Sequence, residues 1–305
     1  MKILITGLGS IGKKHVVAIK SFLPQAEIFA LRSKRGAEKY PGVNNIYDLD
    51  EAESNDFYFA IISNPTSEHK NTIEKLIQYG IPLFIEKPIY SSLDIEDVIN
   101  SINNKEISTY VACNLRFLDS IRFIKEKLHQ QQKKRLNEVN VYCGSYLPDW
   151  RPDTNFRKTY SANKELGGGV HIDLIHELDY LYWFFGMPNN VNRIFKSGSS
   201  LAISAIDYAN YVLDYGGFCA SVVLNYYRRD AKRSLELVFE DETWSVDLLK
   251  NQIICNDKII FSSKQQVVDT YQAQIEYFVN RLDQNTNTFN TITDGYNVLK
   301  ICLGQ

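Results

Sequence analysis

The chain has 305 residues, 44% of them hydrophobic and 23% charged, with a formal net charge of -2. That apolar fraction suffices for one large core or two ordinary ones, and the near-neutral balance excludes the basic surplus of a nucleic-acid-binding protein. No apolar run approaches the roughly 18 residues of a membrane span, and Cys113, Cys143, Cys219, Cys255 and Cys302 make no CxxC pair or Cys/His cluster, so neither a disulfide frame nor a metal site is expected.

The first 115 or so residues alternate strand-like and helix-like segments. Residues 2–6 form a short apolar run that ends in glycines. Residues 10–22 have helical spacing, with Ile11, His15, Ala18, Ile19 and Phe22 on or near one side. Residues 27–31 read as a second strand. The run 57–63 is continuously apolar, as a strand buried on both faces should be. A helix over 67–79 and strands at 83–85 and 107–113 complete a βαβ pattern, which predicts a Rossmann-type doubly wound parallel sheet. The texture then changes. A helix near 121–128 leads to a polar loop, in which Lys133-Lys134-Arg135 reads as solvated. A strand at 138–146 and one strong helix at 169–185 follow. Further strands fall at 191–196, 205–214, 218–227, 234–240, 243–248, 252–255 and 258–261. Tyr215-Gly216-Gly217 and Asn256-Asp257 mark hairpin turns. Helices at 268–282 and 291–303 close the chain. The expectation is an α/β domain at 1–117 and an α+β domain at 118–305. The second carries a large, mainly antiparallel open sheet, and the last helices can pack back on the first domain.

Gly7-Leu8-Gly9-Ser10-Ile11-Gly12 fits GxGxxG between a strand and a helix. The first glycine permits the tight turn, the second lets backbone approach a pyrophosphate, and the third lets helix pack on strand. The phosphates would meet free N–H groups at the helix start. A cofactor without a 2′-phosphate usually meets an acid at the end of the second strand. Here that segment is Leu31-Arg32-Ser33-Lys34-Arg35, without an acid. Arg32 and Ser33 therefore point to NADP, with NAD possible, unless this is simply a basic surface loop.

Ligands of doubly wound sheets bind beyond the carboxyl ends of the strands. Ser63-Asn64-Pro65-Thr66 with His69 is at one such end, and Glu86-Lys87-Pro88 at another. A lysine there can donate to a substrate oxygen and stabilise its developing charge. Glu86 could anchor that ammonium or contact the cofactor, and Pro88 constrains Lys87 toward extended backbone. In the helix that opens at Gly167-Gly168-Gly169, Leu174, Leu178, Leu181 and Phe185 form an apolar stripe. Asp173, His176, Glu177 and Tyr180 share a neighbouring face. An imidazole one turn from a carboxylate makes a base with an orienting partner, although a packed, merely hydrogen-bonded histidine has the same pattern.

GLGSIG at 7–12, SNPTSEH at 63–69, EKP at 86–88, CNLRF at 113–117 and GGGVHIDLIHELD at 167–179 together resemble the Gfo/Idh/MocA family of oxidoreductases, in order and over the whole chain. The resemblance implies a Rossmann domain followed by an open-sheet domain whose outer face forms homodimers or homotetramers. It implies hydride transfer between nicotinamide and a sugar or polyol carbon. Lys87 would be the catalytic lysine and His176 the proton-transfer residue, with Asp173 orienting it or touching substrate. Within CNLRF, Asn114 is expected to bind cofactor and Arg116 substrate. Many members space the aspartate and histidine by four positions, which places Glu177 where their histidine stands.

The loop Tyr146-Leu147-Pro148-Asp149-Trp150-Arg151-Pro152, continued by Asn155-Phe156-Arg157-Lys158-Thr159-Tyr160, alternates rings, cations and prolines. Trp150 and Tyr160 suit sugar faces, and Arg151 and Arg157 suit a carboxylate or phosphate, unless the loop only crosses the sheet. It is similar to members from surface-sugar pathways that handle acidic or nucleotide-linked sugars. The expected protein is an NAD(P)-dependent sugar oxidoreductase. A non-catalytic dinucleotide-binding sensor and a reductase of non-sugar carbonyls or imines are the competing readings. Ile3-Leu4-Ile5 is too short for a signal peptide's apolar region, so a cytoplasmic location without membrane or nucleic-acid partners is expected.

Overall fold

The computed structural model describes residues 1–49, 57–130 and 134–304. The chain divides into two compact units, Met1–Asn114 with Val267–Leu299, and Leu115–Gln266 with Lys300–Gln305.

The first unit holds six strands: β1 (Lys2–Thr6), β2 (Glu27–Leu31), β3 (Val43–Ile46), β4 (Phe57–Ile62), β5 (Leu83–Ile85) and β6 (Thr109–Val111). All pair in parallel, in the order β3-β2-β1-β4-β5-β6. This is the Rossmann order, and it reverses direction between β1 and β4. Ile3, Leu4 and Ile5 are fully buried, as are Phe59, Ala60, Ile61 and Ile62. Helices α1 (Ser10–Phe22), α2 (His69–Leu76) and α3 (Glu96–Asn104) connect these strands, and α7 (Asp269–Asp283) packs on α1. The helix expected over 67–79 starts as a 3-10 turn at Thr66–Glu68, and its regular part ends at Leu76. β3 and α3 carry weak patterns: β3 reads VNNI on the sheet edge, and α3 reads EDVINSINN, where four Asn and Asp residues dilute the apolar stripe of Val98, Ile99 and Ile102.

The second unit builds an eight-stranded sheet: β7 (Leu136–Tyr146), β8 (Asn190–Lys196), β9 (Tyr208–Asp214), β10 (Cys219–Asn225), β11 (Tyr227–Phe239), β12 (Thr243–Asp247), β13 (Gln252–Cys255) and β14 (Lys258–Ser262). The order is β14-β13-β12-β11-β7-β10-β9-β8, antiparallel except where β10 runs parallel to β7. Alternation decides the faces: Val139 and Val141 are buried, whereas Glu138 is exposed and Asn140 and Tyr142 are half-buried. Asn256 and Asp257 both adopt positive φ, 46° and 61°, as a two-residue hairpin of this twist demands. The two strands expected at 218–227 and 234–240 divide differently. β10 ends at Asn225, and β11 runs unbroken from Tyr227, with an irregular register against β7 between Tyr227 and Lys232. Helices α4 (Asp119–Gln130), α5 (Val170–Asp173) and α6 (His176–Phe185) accompany this sheet, and α8 (Ile292–Leu303) ends the chain. Lys133 lies outside the described residues. Lys134 is not merely solvated: it pairs with Asp241 at 2.8 Å and Glu242 at 2.6 Å.

Candidate functional site

The first unit presents a cradle at the carboxyl end of β1. Gly7 has φ +83°, and a Cβ there would lie 2.6 Å from Asn64 Cα. A Cβ on Gly12 would lie 2.4 Å from the Gly7 carbonyl oxygen. A Cβ on Gly9 would meet nothing within 4 Å. Two glycines therefore close the turn and the middle one opens it to an approaching ligand. Gly9 caps α1 without a side-chain hydrogen bond, and the first turn carries no acid. With Gly9 and Ser10 exposed, the N–H groups of that turn suit a pyrophosphate, so the residues present fit a dinucleotide. Ser63 Oγ fastens the end of β4 to this turn, donating to Thr6 O at 3.1 Å and Gly7 O at 2.9 Å. Pro65 is exposed beyond it. At the end of β2, Ser33 is exposed, and Arg32 donates from Nη1 to Glu38 O at 3.2 Å and Asn45 Oδ1 at 3.1 Å.

Three residues expected to face ligand serve the frame instead. His69 is 1% exposed, with Nε2 facing Asn64 O at 3.0 Å and Nδ1 facing Ile89 O at 3.2 Å. Burial lowers its pKa against the pull of those carbonyls. It staples two loops together. Glu86 is buried and accepts from His15 Nε2 at 2.6 Å and from the Lys87 backbone N–H at 3.2 Å. It thus anchors Lys87 through the main chain and holds α1 through His15, a partner that sequence reasoning placed inward but assigned no role. Asn114 is buried and donates to Thr270 Oγ1 of α7 at 2.7 Å. Lys87 itself is half-buried at the end of β5, and its peptide bond to Pro88 is cis.

In the second unit all three glycines of 167–169 are required. Gly167 has φ +81°, Gly169 has φ +150°, and a Cβ on Gly168 would lie 2.0 Å from Tyr160 O. The loop before the helix is pressed against the helix start, and Tyr160 Oη donates to Gly167 O at 3.0 Å. The helix expected over 169–185 is broken. α5 ends at Asp173, Leu174 leaves helical geometry at φ -99° and ψ 30°, and α6 starts at His176. Side chains on either side of the break are held from the β10–β11 junction and from β11. Tyr226 Oη donates to Asp173 Oδ2 at 2.5 Å, and Arg233 forks onto Glu177 at 2.6 and 3.1 Å. These distant partners are invisible to a periodicity argument.

The break sorts the four polar residues expected on one face. Asp173 and His176 are half-exposed, whereas Glu177 and Tyr180 are fully buried. Glu177, in its ion pair with Arg233, is a packing residue and not the proton carrier. Arg116 is corrected too: it is 1% exposed and forks onto the equally buried Asp179 at 2.9 and 2.8 Å, so it does not face substrate. In the loop, Trp150 is 40% exposed and donates to Ser145 Oγ at 2.9 Å. Arg151 is exposed, while Arg157 donates to Leu201 O at 3.1 Å and lies over the Phe156 ring. Tyr226 and Arg233 were missed; the run Asn225-Tyr226-Tyr227-Arg228-Arg229 was the available signal for Tyr226. Among the described residues no group of three or more His, Cys, Asp or Glu is placed to hold a metal ion, and no helix is long and apolar enough to cross a membrane.

His171 supplies a pH test. Burial pushes its imidazole down to about 4, and Nδ1 has no hydrogen-bond partner. The unfolded chain binds this proton near pH 6.5 and the folded chain does not. Stability is therefore full above about pH 6.5 and falls as pH drops toward 4, by up to roughly 3 kcal/mol from this group. Urea unfolding at several pH values checks this: His171→Phe should flatten the acid slope, and an unchanged slope would sink the assignment.

Comparison with known proteins adds the lineage. Residues 1–111 match the model of the oxidoreductase family with an NAD-binding Rossmann fold, and residues 125–245 match the GFO/IDH/MocA C-terminal domain. An uncharacterised oxidoreductase of Streptococcus pneumoniae serotype 4 is 25% identical over 167 residues, 53% of this chain and 42% of that protein. The chain thus spans less than half the length of that curated relative. UDP-N-acetylglucosamine 3-dehydrogenase GnnA from Acidithiobacillus ferrooxidans superposes with a TM-score of 0.81 at 20% identity, covering 99% of this chain and 95% of that one. Scyllo-inositol dehydrogenase from Lactobacillus casei, solved with NAD(H) and scyllo-inositol, gives 0.81 at 22% identity with the same coverage.

Proposed function

The chain belongs to the Gfo/Idh/MocA family of NAD-binding oxidoreductases, and from that premise we propose that it interconverts a CH–OH and a ketone on a sugar or sugar derivative. The observation that carries this reading is the sorting along α5 and α6: the groups that serve packing are buried, and Asp173 and His176 are only half-buried. The nicotinamide, when bound, exchanges a hydride with the substrate carbon. In the oxidising direction His176 takes the hydroxyl proton, with Asp173 as the carboxylate that orients it or the substrate. On the first unit, the Lys87 ammonium is the group that can donate to a substrate oxygen and lower the cost of its developing charge. His176→Asn tests the assignment: kcat should fall by about 10²–10⁴-fold with cofactor affinity kept, and retained turnover would remove it.

The substrate carries an anionic group in this proposal, a carboxylate or a nucleotide phosphate. The support is the exposed Arg151 beside Trp150, together with the fold shared with a dehydrogenase of a nucleotide sugar. Arg157, already engaged with Leu201, is the weaker candidate. For the cofactor we propose a preference for NADP(H). The end of β2 offers Arg32 and Ser33 and no acid. Arg32→Ala should lower kcat/KM for NADPH roughly tenfold to hundredfold, the worth of one charge-assisted hydrogen bond, and leave NADH little changed. A wild-type preference for NADH would overturn this. We further propose assembly into homodimers or homotetramers through the face of the sheet that exposes Ile194 and Val212. The five cysteines are free thiols, which supports a reducing, cytoplasmic setting.

A further inference from the structure

We infer that Tyr226 is a positioning residue for the acid–base pair: its hydroxyl fixes the Asp173 carboxylate in one orientation, and Trp150 of the substrate loop fixes its ring. The inference rests on the functional reading above for its meaning, and on the following geometry for its content. Asp173 ends a helix of only four residues, and the chain leaves helical geometry at the next residue. One turn of helix, frayed at its end, does not hold a carboxylate by itself. Tyr226 supplies the missing constraint from the junction of β10 and β11, donating to Asp173 Oδ2 at 2.5 Å.

The tyrosine is itself held on every side. It is fully buried. Its backbone N–H donates to Asp207 O at 3.1 Å, and its carbonyl accepts from the Leu147 N–H at 2.8 Å. The Trp150 ring meets its ring edge-on, with centroids 5.4 Å apart and planes at 89°. Trp150 is tied in turn to Ser145 of β7. Burial and the neighbouring Asp173 charge push the phenol's ionisation well above its ordinary range. The hydroxyl therefore keeps its proton and donates it to the Asp173 oxygen. A phenylalanine would fill the same space if packing were all that mattered. A buried hydroxyl is costly unless bonded, and here it donates to the Asp173 carboxylate, three residues before His176.

Two consequences distinguish positioning from plain packing. The Asp173 carboxylate should be locked in the wild type and spread over rotamers without the hydroxyl. The defect should also appear in kcat rather than in KM. Tyr226→Phe keeps the ring and its contact with Trp150. Its crystal structure should show Asp173 displaced or in several rotamers. Its kcat should fall roughly 10- to 100-fold, the usual result of a small misplacement of a reacting group, with substrate KM and cofactor affinity changed less than about threefold, and the acid limb of its pH–rate profile should move. A variant with Asp173 in its wild-type rotamer and unchanged kcat overturns the inference. Should the variant not fold, proton NMR of the wild type decides. A phenol bound to a carboxylate gives a strongly downfield, slowly exchanging hydroxyl resonance that Asp173→Ala abolishes, and its absence from the wild type also overturns the inference. If no sugar is turned over by the wild type, the functional reading fails, while the rotamer and NMR results still decide whether Tyr226 positions Asp173.

Discussion

Lys87→Met is expected to lower kcat by about three orders of magnitude while dinucleotide affinity stays within about twofold. The magnitude combines what a positioned proton donor and a preorganised positive charge each contribute, about 10²- to 10³-fold apiece with incomplete additivity. Affinity is spared because the pyrophosphate cradle is built elsewhere in the same unit, from Gly7, Gly9, Gly12 and the start of α1. Methionine preserves the length and apolar stem of the side chain and removes the ammonium. The backbone of residue 87 should stay where it is, because Glu86 holds its N–H and His15 holds Glu86. Single-turnover rates, with cofactor binding followed by fluorescence, separate the two quantities. Turnover within about threefold of wild type would end the catalytic assignment of Lys87.

Arg116→Ala should destabilise the protein by about 3–5 kcal/mol, the usual penalty for breaking a buried ion pair from one side. The substitution strands the Asp179 carboxylate, which is 1% exposed and has accepted two hydrogen bonds from Arg116. The charge, more than the lost contact, sets the size of the effect. The double variant Arg116→Met with Asp179→Leu should therefore recover most of the loss, since well-packed apolar groups often replace such a pair at no cost. Urea unfolding of both variants reads this directly. A substrate residue would behave otherwise, raising KM with little change in stability, and that outcome would restore the sequence-based role of Arg116.

The comparison of expectation with structure has a physical pattern. Where a signal is local, sequence carried it well. The glycine turn, the strands ending at Thr6, Ile62 and Ile85, and the two-residue turn at Asn256-Asp257 all rest on short-range backbone chemistry. β3 and α3 escaped because their few apolar residues are diluted by asparagine. The break after Asp173 escaped for another reason. The side chains bonded to either side of it, Tyr226 and Arg233, are 53 and 56 residues from their partners in sequence. The same distance explains the misplaced charged groups. Arg116 and Glu177 look like ligand-facing residues until Asp179 and Arg233 are seen to neutralise them in the core. His69 and Glu86 stand in the right loops, yet hold those loops together. Sequence pointed to these loops and helices, and only the fold separated the groups that face outward from those that fasten the frame.

The central claim is that a dinucleotide-binding unit is joined to working acid–base groups on the second unit. The most direct test is a screen of free sugars, acidic sugars and nucleotide sugars with NADP(H) and NAD(H), run on the wild type and on His176→Asn in parallel. The account predicts cofactor-dependent interconversion of a hydroxyl and a ketone on at least one anionic sugar, lost in the variant while cofactor binding persists. Tight cofactor binding with no turnover of any sugar, or a variant as active as the wild type, would contradict it and leave a dinucleotide sensor as the better description.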